Sequence, residues 1–263
     1  MLIEERKTWI HDWKLIDTTA DIISFGSESC TIPVLGINNS WNMFLQIIGS
    51  DKRVKIVTPR ISQSDISSML NLLNKIITLR RKLDIVVNDW GIFNFCFRNI
   101  EHFNIHLGRQ LSRSLLDCPW HNEILNNEKK ITQEILTKHI FDVDTLKENG
   151  VSGIELNRLL PEIYYDSFNG LEISVHQNEY LLTCGKICLS KRIYPKKDCH
   201  ELCNRRITIE PVGKWFGFFN NRVPFSDYEK SLLEGMKLTG KKVVMPQKKI
   251  DFSSSIYNVL IKE

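Results

Sequence analysis

Short apolar runs rich in β-branched residues recur along the first two-thirds of the chain, and turn-forming residues close them. Ile22–Phe25 ends at Gly26, and Val54–Thr58 is stopped by Pro59. Asp84–Asn88 reads D-I-V-V-N, and Phe103–Leu107 ends at Gly108. Gly153–Leu156 and Leu171–Val175 follow. Runs of this length and composition predict strands. Few of them alternate cleanly between polar and apolar residues, as expected of parallel strands covered on both faces. Between them, Asp65–Leu79 has a helical stripe of Ile66, Met69, Leu70, Leu73, Ile76 and Ile77, with Ser62 or Ser64 as its cap. Asp89 can cap a second helix reaching Phe97. Strand–helix alternation predicts an α/β fold. A (β/α) TIM-like barrel, complete, incomplete or distorted, is the leading architecture, and an open doubly wound sheet is the alternative.

The chain opens differently, with a helix-like segment over Glu4–Leu15. Residues 107–119 predict a loop and a short helix. The last third predicts a β-rich extension over residues 205–263, with runs at Arg206–Glu210 and Lys214–Phe219 and a turn near Asn220-Asn221-Arg222. Lys237–Lys249 is basic and reads as a solvated surface strand in preference to a nucleic-acid patch. One domain over residues 1–263 accommodates all of this. Net charge is +4, from 35 basic and 31 acidic residues. That balance makes no case for nucleic acid on its own and leaves the question open. No apolar run approaches a membrane span, and the first residues lack a signal-peptide core, so the expectation is a cytoplasmic protein.

The chemistry concentrates in residues 184–203. Four of the seven cysteines lie there, as C-x3-C-x10-C-x3-C through Cys184, Cys188, Cys199 and Cys203. Thiolates this close can converge on one soft metal centre. Lys191, Arg192, Lys196 and Lys197 lie among them, and nearby positive charge favours thiolates. On spacing alone, zinc and iron–sulfur are even. Cys96 and Cys118 read as small core residues.

Several segments resemble the collagenase-like peptidase family U32, nearest to its small proteins of oxygen-independent ubiquinone hydroxylation. They are Ile22-Ile23-Ser24-Phe25-Gly26 leading to Cys30, Val87-Asn88-Asp89-Trp90-Gly91, Gly153-Ile154-Glu155-Leu156-Asn157, Leu171 to His176, Gly185-Lys186-Ile187-Cys188, and Lys197-Asp198-Cys199 to Cys203. Three features depart from the family pattern: the helix-like opening in place of a leading strand, a Cys188-to-Cys199 spacing tighter than in those proteins, and Ile187 where an arginine is common. The resemblance implies a barrel fold and a 4Fe–4S cluster on Cys30, Cys188, Cys199 and Cys203, with Cys184 as the spare. It further implies a subunit of a hydroxylase acting on an aromatic ring or nucleobase. A second member of the family would be its partner, and a small anionic oxygen donor such as prephenate its co-substrate. The alternative is a non-catalytic scaffold subunit stabilised by the cluster or by zinc. No proteolytic constellation is recognisable.

Candidate catalytic groups are Glu172 and His176, four apart on one strand and so on one side, and Glu155 at a strand end. A satisfied core histidine and a salt-bridged glutamate are the competing readings. Arg109, following Gly108, could hold a carboxylate as a bidentate pair, against the alternative of a surface arginine. Asn88 at a strand end is a substrate contact or a turn residue.

Overall fold

The computed structural model describes residues 3–8, 21–112, 143–156, 168, 170–175, 179–181, 194–196, 222–224 and 243–247. Its centre is a curled parallel sheet of six strands: β2 Ile22–Gly26, β3 Arg53–Val57, β4 Leu83–Val87, β5 Phe103–Leu107, β6 Val151–Leu156 and β7 Glu172–Val175. Neighbours in sequence are neighbours in the sheet, and every pair is parallel. The expected α/β class and all six expected strands are present, with bounds that move by a residue or two.

Helices α1 Thr31–Leu35, α2 Trp41–Ile48, α3 Ile66–Ile77, α4 Trp90–Phe97 and α5 Val143–Glu148 lie in the connections. Helix α3 buries Met69, Leu72, Leu73 and Ile76, each worth about 1.5–3 kcal/mol when taken from water. Asp65 stands at its N-cap without a side-chain capping bond. Ser62 instead donates to the Asp65 carboxylate at 2.9 Å. Asp89 caps α4 as the sequence predicts, accepting from the Gly91 and Ile92 amides. These helices pack on one layer of strand side chains that includes Phe25, Ile56, Ile85, Ile105, Leu107 and Ile154.

The opening segment corrects the sequence reading. Ile3–Thr8 is a strand, β1, not the start of a helix. It pairs in parallel with β2, from Glu5 opposite Ile22 to Thr8 opposite Phe25. The run I-E-E-R-K-T has one apolar residue, so its strand character comes from its neighbours, and tertiary pairing overrides local preference. Toward the C-terminus, β8 Glu179–Leu181 and β9 Arg222–Pro224 form an antiparallel pair apart from the main sheet. Strand β10 Val243–Gln247 falls within the basic run but is paired on both sides, with β7 and with β1. It is not a solvated edge. Among the described residues no helix is long and apolar enough to cross a membrane.

Candidate functional site

Parallel strands alternate their side chains between two faces. The outer face is apolar, while the inner face carries Ser24, Lys55, Asp84, His106, Glu155 and Ser174, all buried. The curled sheet therefore encloses a charged lumen. Strand β3 supplies its cations. Arg53 Nε donates to Asp84 Oδ2, and Arg53 Nη1 reaches Glu172 Oε2 at 2.5 Å. Lys55 Nζ donates to Ser174 Oγ at 3.0 Å and lies 3.2 Å from Glu172 Oε1. Asn104 Nδ2 donates to Asp84 Oδ1 at 2.9 Å.

These contacts set the protonation of the acids. Burial by itself would raise the Asp84 carboxyl, but the His106 ring and the Arg53 guanidinium outweigh it and hold Asp84 well below the carboxylate range. His106 Nε2 stands 3.9 Å from Asp84 Oδ1, outside ordinary hydrogen-bonding distance. Burial likewise opposes ionisation of Glu172, and Lys55, Arg53 and His106 lower it. Arg53 is disfavoured by burial and raised on balance by Glu172 and Asp84.

A second buried cluster lies past the carboxyl ends of the strands, where ligands of parallel α/β folds collect. The segment Gly108–Ser112 organises it. Arg109 makes a two-pronged pair with Glu28, its Nε donating to Oε2 at 2.9 Å and its Nη2 to Oε1. The Gln110 amide donates to Asn88 Oδ1 at 3.1 Å, and Gln110 Nε2 to the Glu28 carbonyl. Ser112 Oγ donates to the Glu155 carbonyl at 2.5 Å. Asn88 Nδ2 donates to the Thr58 carbonyl at 2.9 Å. Gly108 permits this close approach, since a Cβ there would fall 2.2 Å from Asn88 Oδ1.

The sequence-predicted residues divide accordingly. Cys30 directly precedes α1, just beyond the carboxyl end of β2, and is half-buried. Asn88, Arg109 and Glu155 share its end of the sheet through the Gly108–Ser112 segment. Arg109 is not a surface arginine: it is 1 % exposed and engaged by Glu28. Glu172 opens β7 and so lies at the amino end of its strand, tied to Arg53 and Lys55. His176, Cys184, Cys188, Cys199, Cys203 and Cys118 lie outside the described residues. Cys96 is a core thiol, and burial pushes its pKa up strongly. Among the described residues no three His, Cys, Asp or Glu side chains are grouped to hold a metal ion.

Sequence reading missed Arg53, Lys55, Asp84 and His106. The signal was a polar residue on alternate positions within otherwise apolar strands: R-V-K-I-V, L-D-I-V-V and F-N-I-H-L. No family model, curated protein or solved structure matches this chain.

Proposed function

We propose that the chain is a TIM-like (β/α) barrel related to family U32, carrying a 4Fe–4S cluster at its mouth as one subunit of an oxygen-independent hydroxylase. The observation that carries the reading is the position of Cys30. Its thiol lies half-buried past the carboxyl end of β2, the end at which barrel enzymes place their chemistry. That position suits a ligand from a strand end, to be joined by Cys188, Cys199 and Cys203. The pairing of β1 with both β2 and β10 supports the barrel, because it continues the parallel order round to β7.

When bound, the cluster would supply one-electron chemistry. The chain's own residues would shape and dry the mouth. Arg109 is oriented by Glu28, and Asn88 fixes the Gly108–Ser112 segment through Gln110. Glu155 sits on the inner face at the same end, where a carboxylate can hold or pass a proton. His176 remains a proposed partner for such transfer, Glu172 a proposed anchor of the lumen, and a small anionic donor such as prephenate the proposed co-substrate.

The experiment is anaerobic purification with iron, sulfide and zinc analysis, on wild type and on Cys30→Ala and Cys184→Ala variants. About four irons and four sulfides per chain are expected, lost in Cys30→Ala and kept in Cys184→Ala. Stoichiometric zinc without iron, or a cluster that survives Cys30→Ala, overturns the assignment.

One observation favours the second reading, a cluster- or zinc-stabilised scaffold subunit. Each described cation of the lumen and mouth already faces a carboxylate: Arg53 faces Asp84 and Glu172, Lys55 faces Glu172, and Arg109 faces Glu28. A lumen neutralised in this way attracts anions weakly. Calorimetry with prephenate separates the two, since a scaffold takes up no heat-producing anion.

A further inference from the structure

His106 is 1 % exposed, and among the described residues neither of its ring nitrogens has a hydrogen-bond partner. Buried polar groups in native proteins are almost always paired, with protein or with ordered water. The ring lies in the lumen between β4 and β6, opposite Val86 on one side and Gly153 on the other. Its two nitrogens have unequal surroundings. Nδ1 abuts Gly153, where a Cβ would come within 2.2 Å of it. Nε2 faces Asp84 Oδ1 across 3.9 Å.

We propose that the lumen holds an ordered water molecule between His106 Nε2 and Asp84 Oδ1. The gap suits one. With hydrogen bonds of about 2.8 Å on each side, a 3.9 Å base gives an angle of roughly 90° at the water oxygen, a tightened form of its tetrahedral donor–acceptor arrangement. Asp84 is held ionised and only accepts, so the water donates to Oδ1 and accepts from Nε2–H. Nε2 therefore carries a hydrogen and donates to the water, while Nδ1 faces the Gly153 backbone. Glu172 Oε1, which has no aligned hydrogen bond despite its ion pair with Lys55, is a further acceptor in the same lumen. A buried water normally has two to four such partners. A metal ion is a poor occupant, because Arg53 and Lys55 share the space and no ligand triad is present among the described residues. The water joins His106 to the Arg53–Asp84–Asn104 contacts and gives the ring a proton-exchange partner inside the sheet.

The test is a crystal structure of the full wild-type chain at about 1.5 Å, where buried waters are resolved, together with long-range ¹H–¹⁵N correlation of ¹⁵N-histidine-labelled protein. The expected result is a single density peak within hydrogen-bonding distance of both atoms, about 2.6–3.2 Å, and an Nε2–H signal pattern for His106. A direct Nε2···Oδ1 contact with no peak between overturns the proposal. So does a peak at metal-ligand distances of about 2.0–2.2 Å, or an Nδ1–H tautomer.

Discussion

Replacing Glu172 by Gln removes one charge from the lumen and almost no volume. Glu172 is 15 % exposed and carries both Arg53 Nη1 at 2.5 Å and Lys55 Nζ at 3.2 Å. At an effective dielectric of about 20, a pair separated by the Lys55 distance attracts by roughly 5 kcal/mol before desolvation is counted. Truncating one partner of a buried pair costs about 3–5 kcal/mol, because the other charge is left without compensation. Two facts place this case near the lower end. Gln keeps an oxygen that can accept from Arg53, and Arg53 is 34 % exposed, so water screens part of its loss. The expected loss is about 3 kcal/mol. Urea unfolding at pH 7 measures it, with a melting temperature lower by roughly 6–12 °C for a chain of this size. Adding Lys55→Met removes the stranded ammonium, so the double variant should recover part of the loss, with a coupling of about 1–3 kcal/mol. A Glu172→Gln protein within about 0.5 kcal/mol of wild type, which is the scatter of neutral surface changes, would refute the view that these contacts hold the lumen together. Strict additivity of the two variants would do the same.

Acid should weaken the fold through the same residues. Asp84 and Glu172 have folded-state values below their unfolded ones, so below about pH 4–5 the unfolded chain binds more protons and stability falls with falling pH. Asp84→Asn should flatten that slope in urea titrations between about pH 3 and 6, and an unchanged slope would count against the assignment. Gly108→Ala should cost about 1–3 kcal/mol by driving a Cβ into Asn88; Asn88→Ala in the same chain should restore part of it, as thermal melts would show. In metal-free native protein, Cys96 should resist iodoacetamide while half-exposed Cys30 reacts. Peptide mass mapping reads the difference, and rapid native labelling of Cys96 would contradict its burial.

The strands were legible because their apolar runs are long enough and end at Gly26, Pro59 and Gly108. Asp89 was legible as a cap because only the start of a helix needs such an acceptor there. Strand β1 was not, since a segment with Ile3 as its one apolar residue carries little periodic signal and depends on pairing with β2 and β10. The lumen was written in the strands but read as irregular alternation, because Lys55 and Asp84 look misplaced until their partners on β7 and β5 are known. Those partners lie 119 and 20 residues away in sequence. Arg109 was misread for the same reason: Glu28, 81 residues earlier, buries it. Cys30 emerged from the family resemblance alone, since spacing favoured Cys184.

A lumen lined with charge also restricts how the strands can be threaded. Side chains on a strand repeat every two residues, so sliding β3 by one position would exchange Lys55 with Val54 or Ile56. The ammonium would then face the greasy underside of the helices, with neither Glu172 nor Ser174 within reach, and an isoleucine would face Asp84. The same slip on β4 or β5 would strand Asp84 or His106 in oil. An all-apolar barrel would tolerate such errors, because valine and isoleucine serve nearly as well on either face. Here each misalignment carries a desolvated charge as its penalty. The ion pairs thus bias the strands toward one alignment, because a slipped register leaves a buried charge without its partner.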